Sequence, residues 1–276
     1  MARRTEGCSG DDKPDKPDEP KLRHEFVGMM FAIAVGEIGL QTAALVQSEH
    51  LIHYLPAFFH LILATILIAA SWVGWSRSLA KQDVKTLFEW AFVVLLLDVM
   101  MVVVYFILVK TVDFGDKPPR IDPAHKVAGW HVLIFLLYLA WDVVTKFVMP
   151  LSPKETEEER EQSQKRMYPT LVCLVLTGAL WLAFLKIKTD YEHWLTADVA
   201  LLSVVLLFRA LKDSWFPTKS RREAHHRKHG LKGFMFRWGW TVVCVIGFIV
   251  GTWMTIFKSP LLLPDWIIQE MRRVVP

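Results

Sequence analysis

A carboxylate lies near the middle of the first long apolar run of this chain. Glu37 falls within residues 26–46, which are predominantly apolar and long enough to cross a bilayer as one helix. A charged side chain at the centre of a bilayer costs about 3 kcal/mol on insertion scales, so it usually faces a partner, a bundle interior or water. In such a setting a carboxylate can bind a cation or carry a proton.

Glu37 belongs to a stripe of regularly spaced residues. Ile33, Glu37 and Gln41 recur every fourth position and therefore share one face of a helix. Small residues, which allow helices to approach closely, flank this stripe: Ala32, Ala34, Gly36, Gly39, Ala43 and Ala44. This pattern suits the inner ring of a homo-oligomer, where copies of Glu37 would select cations. Two alternatives are a protonated Glu37 bonded to another helix of the same subunit, and a proton relay.

Other polar side chains lie in the later apolar runs: His60, Asp98, His131, Asp142, Lys146 and Asp198. Asp142 and Lys146 are four residues apart and can pair on one helix face. Asp98 has no cation at helical spacing, so it needs a partner on another helix or is protonated. The two histidines are candidates for hydrogen bonds between helices.

The elements that must position these groups are membrane-spanning helices. Hydrophobic residues make up 53% of the chain and its mean hydropathy is +0.30. We predict an all-α polytopic bundle with seven spans, at about 26–46, 55–77, 86–109, 126–148, 168–187, 193–213 and 238–257. In the last run, Gly247 and Gly251 are four residues apart, which indicates close helix packing, either within the chain or between subunits.

The basic residues orient the bundle. Lys and Arg in alternate segments number 23 on one side and 9 on the other, which predicts a cytoplasmic N-terminus. The resulting organisation is a disordered charged cytoplasmic tail (1–22), a six-span core (23–213), a basic cytoplasmic loop (214–237), and a seventh span with a short external interfacial segment (238–276). In the basic loop, Arg221, Arg222, Arg227 and Lys228 are candidates for binding lipid headgroups.

The first two spans resemble those of the TMEM175-type potassium channels. In that family the first helix opens with Arg and then Phe-Ser-Asp-Gly-x-Phe-Ala-Ile-Ala. Here Phe26 and the stretch Phe31–Ala34 keep the same mutual spacing, although Val27 and Gly28 stand at the Ser-Asp positions. The second span is similar in its late tryptophans and basic exit. The resemblance implies that Ile33 forms a hydrophobic pore constriction, with Glu37 one turn further along the conduction path.

The leading functional hypothesis is an oligomeric cation channel lined by the first helix, with a monovalent cation such as potassium as its ion. The alternatives are a proton-coupled small-solute transporter using Glu37, Asp98 and Asp142, and a non-catalytic membrane effector or accessory subunit. We expect no enzyme activity, because the apolar spans contain no catalytic motif or metal-ligand spacing. We also expect no cofactor and no nucleic-acid partner. The predicted location is the prokaryotic cytoplasmic membrane, as a multi-pass protein.

Overall fold

The computed structural model of the protein describes residues 22–48, 51–78, 90–115, 119–148, 161, 164–187, 189–212, 231–259 and 263–273. Within these ranges the chain forms eight α-helices: α1 (Leu22–Val46), α2 (Leu55–Ser78), α3 (Trp90–Val109), α4 (Ala124–Val143), α5 (Tyr168–Lys186), α6 (Trp194–Ala210), α7 (Leu231–Ile256) and α8 (Asp265–Arg272). Apolar runs of this length fold as helices because a helix satisfies its backbone hydrogen bonds internally, as a lipid environment requires.

The helices confirm the predicted all-α polytopic bundle. Seven of them, α1 to α7, are long and apolar enough to cross a membrane. Helix α7 begins at Leu231, before the predicted residue 238, because the helix continues past its most apolar part, Trp238–Ile256. Helix α3 is described from Trp90 onward, so the predicted start of that span at residue 86 lies outside the described residues.

Helix α6 is the centre of the bundle. It packs against α2, α4, α5 and α7, and it is the most buried of the seven spans. Helix α7 packs mainly against α6 and is the least buried span. On the other side of the bundle, α1 contacts α2 and α3, and α3 contacts α4. Groups on the inward faces of α2, α4 and α6 are therefore the ones shielded from lipid.

The two glycines of α7 explain its close approach to α6. A Cβ atom on Gly251 would lie 2.9 Å from both Ala200 N and Thr196 O, and one on Gly247 would lie 2.5 Å from Ser203 Oγ. The close packing predicted from their spacing is thus confirmed, and its partner is another helix of the same chain. The two helices are also joined by a hydrogen bond between the hydroxyl groups of Thr196 and Thr255.

We call the end of the bundle where α1 begins the inner end, and the opposite end the outer end. A two-stranded antiparallel hairpin, β1 (Val112–Asp113) and β2 (Arg120–Ile121), joins α3 to α4 at the outer end. At the inner end, α4 continues as a π-helical segment, Val144–Val148. The hydropathy pattern indicated neither feature.

Two of the predicted segments fall largely outside the described residues. The charged tail, apart from Leu22, and residues 213–230 of the basic loop lie outside the described residues. The headgroup candidates Arg221, Arg222, Arg227 and Lys228 fall in that loop, so their predicted role stays a prediction.

Candidate functional site: polar clusters inside the helix bundle

The stripe on α1 divides into an outward-facing and an inward-facing part. Ile33 is 57% exposed, whereas Glu37 is half-buried and Gln41 is buried. Lys110, just after α3, places its Nζ 2.8 Å from Glu37 Oε1, and Gln41 Nε2 donates to the same oxygen at 2.7 Å. Ile33 therefore faces outward, away from the two polar residues. Glu37 is paired with Lys110 and Gln41 of its own chain.

This α1–α3 contact extends into the outer loop. Lys110 also contacts Asp113 Oδ2 at 3.2 Å, and the backbone N–H of Phe114 donates to Gln41 Oε1 at 2.9 Å. The hydrogen bond to Glu37 is the main cause that raises the pKa of Lys110 above its usual range. Lys110 was missed as the partner of Glu37; a flexible basic side chain directly after a span was the signal that could have indicated it.

A buried histidine–carboxylate pair lies towards the outer end, between α2 and α6. His60 Nδ1 contacts Asp198 Oδ2, and both side chains are 1% exposed. His60 Nε2 lies 3.3 Å from the backbone oxygen of Asp122. The hydrogen bond between helices that the sequence predicts for His60 is thus present, and its partner is another of the predicted residues, Asp198.

The geometry of this pair restricts its protonation. A backbone carbonyl only accepts, so Nε2 of His60 must donate to Asp122. Nδ1 then either carries a second proton, as an imidazolium beside the Asp198 carboxylate, or accepts a hydrogen bond from the O–H of a neutral Asp198. In both forms, one exchangeable proton lies between the two side chains.

His131 on α4 lies near His60, within range of an electrostatic effect. Its Nδ1 donates to the backbone oxygen of Val127 in its own helix at 2.8 Å, so His131 does not use that nitrogen to bond another helix. Two buried atoms in this region, His131 Nε2 and Asp198 Oδ1, have no hydrogen-bond partner in the described part of the chain. One of these acceptors belongs to the outer pair itself, and the other lies nearby on α4.

A cluster of hydroxyl groups occupies the core between α2, α3 and α4. The hydroxyls of Ser71, Tyr105 and Tyr138 bond to one another at 2.5 to 3.0 Å. Nearby on the same helices, Trp75 Nε1 donates to Asp98 Oδ2 at 3.1 Å, which gives Asp98 a partner on another helix. The three hydroxyl residues were missed because single Ser and Tyr residues in apolar runs also occur as packing residues.

At the inner end, Asp142 joins α4, α5 and α6. Lys146 Nζ lies 2.5 Å from Asp142 Oδ1, so the pair predicted from the four-residue spacing is present. Thr170 donates to Asp142 Oδ2 at 2.6 Å, and Lys212 Nζ lies 3.3 Å from the same oxygen. Lys212 also lies over the ring of Phe208, 4.7 Å from its centroid. We call Asp142, Lys146, Thr170 and Lys212 the inner cluster.

Lys212 was missed as a member of this cluster. The predicted span of 193–213 included Lys212 at its end, whereas the observed apolar span ends at Ala210. A basic residue at a span end is usually read as an orientation signal. Burial is the main cause that lowers its pKa to about 8, and the carboxylate of Asp142 acts in the opposite direction.

Helix α4 connects the outer and inner groups along one face. His131, Tyr138 and Asp142 are spaced seven and four residues apart, so they lie on the same side of the helix. His131 and Asp142 are about 16 Å apart along the helix axis at 1.5 Å per residue. Between His131 and Tyr138, Ile134 and Phe135 are fully buried. Polar groups thus lie towards both ends of α4, with a buried apolar layer between them.

Helix α8 covers the outer end of the bundle. Arg272 makes a two-pronged contact with Glu192 at 2.5 and 2.7 Å, and Glu270 contacts His53 at 2.6 Å. Tyr191 in turn donates to the backbone oxygen of His53 at 2.8 Å. The C-terminal segment predicted as interfacial therefore forms a helix that is tied to two outer loops.

In the described ranges, no group of three or more His, Cys, Asp or Glu side chains is arranged to hold a metal ion. Comparison of the chain with protein-family models, with curated proteins and with solved structures finds no match. The polar clusters inside the bundle are the basis on which a function can be argued.

Proposed function

We propose that this integral, multi-pass membrane protein is a proton-coupled transporter of a small solute, with His60 and Asp198 as its proton-carrying pair. The observation that carries the proposal is the geometry of His60, both of whose ring nitrogens face oxygen acceptors in a buried site. Histidine changes its charge near neutral pH, and buried intramembrane carboxylates commonly form proton relays.

The layout of α4 supports the same function. A transporter must keep its two ends from being open at the same time. Here the outer pair and the inner cluster are separated by the buried side chains of Ile134 and Phe135. A shift in the packing of this layer would expose one polar group at a time. A permanently open pore has no need of such a layer.

Proteoliposomes that contain a pH-sensitive dye test the proposal. Small solutes, including K⁺, Na⁺, amino acids, sugars and organic acids, are added one at a time and the internal pH is followed. We expect one solute class to change the pH with wild-type protein and to give no change with Asp198→Asn. Asp190→Asn, at an exposed acidic position near the start of α6, is the matched control and should behave as wild type. Solute uptake by the wild type without any pH change would contradict the proposal.

A second candidate function is the oligomeric cation channel lined by α1. It is favoured by the outward face of that helix: Ile33 is exposed, and apart from the adjoining residues of α1 itself, no atom of the described chain lies within 4 Å of a Cβ placed on Gly36 or Gly39. That surface has room for a second copy. The contact of Glu37 with Lys110 argues against a strongly cation-selective ring, because the ammonium group offsets part of the negative charge of Glu37 and Asp113.

The two candidates differ in the effect of Glu37→Gln. For the channel, this change should alter the selectivity among monovalent cations such as potassium, and the purified protein should have the mass of an oligomer. For the transporter, the change should leave solute-dependent pH signals in place. A monomeric protein whose currents are insensitive to Glu37→Gln would remove the channel from consideration.

A further inference from the structure

Two aromatic side chains lie on the outer side of the buried His60–Asp198 pair. The ring of Trp194 is beside that of His60, with their centroids 6.3 Å apart. Tyr191 packs edge-on against Trp194 at a centroid distance of 5.0 Å. Trp194 is the first residue of α6 and lies four residues before Asp198, on the same face and one turn nearer the outer end. We call Tyr191 and Trp194 the outer plug.

Helix α8 holds the outer plug in place. The Tyr191 hydroxyl donates to the backbone oxygen of His53 at 2.8 Å, and His53 Nε2 lies 2.6 Å from Glu270 Oε1 on α8. Next to Tyr191, Glu192 accepts the two-pronged contact from Arg272 on α8. An unbroken series of contacts therefore runs from α8 through the plug to the buried pair.

The two anchoring points of α8 belong to the two helices that carry the pair. His53 precedes His60 by seven residues, close to the start of α2. Glu192 precedes Asp198 by six residues, close to the start of α6. Helix α8 thus joins the outer ends of α2 and α6, between which the pair lies. Loss of these contacts would free both sides of the cover at once.

The attachment of α8 to the bundle is small. The helix has eight residues, and Met271 is its buried residue. Trp266 is 60% exposed, and the side chain of Arg272 is 63% exposed. A helix this short is not stable by itself in water, so its position depends on the contacts that it makes. Segments with few buried contacts open locally without unfolding the rest of the protein.

We infer that α8 is the outer gate of the protein. When α8 is docked, Tyr191 and Trp194 cover the pair. When α8 detaches, the plug is released and the pair becomes open to water at the outer end. The inference rests on the proposed transport, because a transporter needs a closure on each side of its site. Ile134 and Phe135 form the layer on the inner side, and α8 with the plug supplies the outer one.

A cysteine beside the pair measures the opening without any need for transport. Ala57 is fully buried and lies three residues before His60, on the same face of α2. Ala57→Cys is introduced into the full-length chain with its three native cysteines replaced by alanine, and its reaction with a small water-soluble thiol reagent is followed in detergent micelles. We expect slow labelling, and labelling about fivefold faster in Arg272→Gln, because the rate follows the open population and the lost ion pair sets that change.

Two further variants and one control surround this measurement. Arg272→Lys keeps the charge but loses the two-pronged geometry, so its labelling rate should be intermediate. Tyr191→Phe keeps the ring against Trp194 and removes the donation to His53, so it should also speed labelling, and it replaces Arg272→Gln if that variant fails to fold. Asp265→Asn, at an exposed position in the first turn of α8, should leave the rate unchanged.

A second reporter separates local opening from general loosening of the bundle. Cys173 on α5 is fully buried, and as the single remaining cysteine it should label equally slowly with and without Arg272→Gln. Faster labelling at both reporters would overturn the gate, as would wild-type rates at Ala57→Cys in both Arg272→Gln and Tyr191→Phe. The pH signal separates this result from the proposed function. A gate that fails while wild-type protein still gives a solute-dependent pH signal leaves the transporter standing. Faster labelling with no pH signal for any solute would contradict transport and overturn the gate with it.

Discussion

Two buried aspartates at opposite ends of the bundle have different partners. Asp198 meets one imidazole, that of His60, and a single exchangeable proton lies between the two side chains. Asp142 meets two ammonium groups, those of Lys146 and Lys212. Both carboxylates are 1% exposed, so burial does not distinguish them. Their partners distinguish them. The outer aspartate shares an exchangeable proton with His60. The inner aspartate holds the ammonium groups of Lys146 and Lys212 in place.

The largest effect is expected from removing the charge of the inner aspartate. Asp142→Asn leaves Lys146 and Lys212 close together without a counter-charge, and breaking a buried pair in this way costs about 3 kcal/mol or more. Equilibrium unfolding in detergent micelles with increasing denaturant measures the loss. Asp113→Asn, at a more exposed contact of Lys110, is the control and should cost less than about 1 kcal/mol.

The same substitution at the outer aspartate should be milder for stability and more severe for transport. In Asp198→Asn the amide NH2 group can donate to His60 Nδ1, and the imidazole keeps its Nε2–H donation to the backbone oxygen of Asp122. A neutral hydrogen bond replaces the one that a carboxylate would accept, so the loss is about 1 to 2 kcal/mol. The solute-dependent pH signal should disappear. If Asp198→Asn destabilises the protein as much as Asp142→Asn does, the pair is a fixed ion pair and the contrast fails.

A smaller loss of stability is expected from crowding the contact between α7 and α6, the helix that carries Asp198. Gly251→Ala places a methyl group 2.9 Å from the backbone atoms Ala200 N and Thr196 O, which must move apart. Overpacking of this kind costs about 1 to 3 kcal/mol. Gly36→Ala is the matched control, because a Cβ there meets nothing within 4 Å, and it should be neutral or slightly stabilising.

The outcome at Gly251 also bears on the outer pair. Thr196 and Ala200 flank Asp198 on α6, so a displaced α7 should disturb the contact with His60. The pH signal of Gly251→Ala should therefore fall while that of Gly36→Ala is kept. A destabilised Gly251→Ala with a normal pH signal would show that the outer pair does not depend on α7.

Local spacing predicted the helices and one ion pair, whereas the partners across helices needed the structure. Asp142 and Lys146 are four residues apart, so helical geometry alone brings them together. Lys212 is 70 residues from Asp142, and Lys110 is 73 residues from Glu37. Such pairs depend on which helices are neighbours. Apolar runs carry little information on that choice, because most of their faces are equally compatible with lipid.

The glycines of α7 show the same limit. The spacing of Gly247 and Gly251 indicates a close approach correctly, but it does not say whether the other helix belongs to the same chain. Similarly, the stripe of Ile33, Glu37 and Gln41 is a true helical alignment. Its polar members nonetheless turn towards the loop after α3, because Lys110 and the N–H of Phe114 supply partners there.

The smallest effect is expected at an exposed aspartate of the outer end, which serves as the reference for the two buried ones. A hydrogen bond from Lys258 is the main cause that lowers the pKa of Asp190 below its usual value of 3.8. Since the folded pKa is the lower one, this contact stabilises the fold above pH 3.8 and is lost as the pH falls through the folded pKa. Both side chains are about half exposed, so solvent screening limits the contribution to a few tenths of a kcal/mol.

Asp190→Asn should therefore lower stability slightly at neutral pH, and about 1 M salt should remove the difference from wild type. The effect of Asp142→Asn should persist in the same salt, because water and ions do not reach that carboxylate; equal salt sensitivity of the two variants would show that the inner cluster is open to solvent.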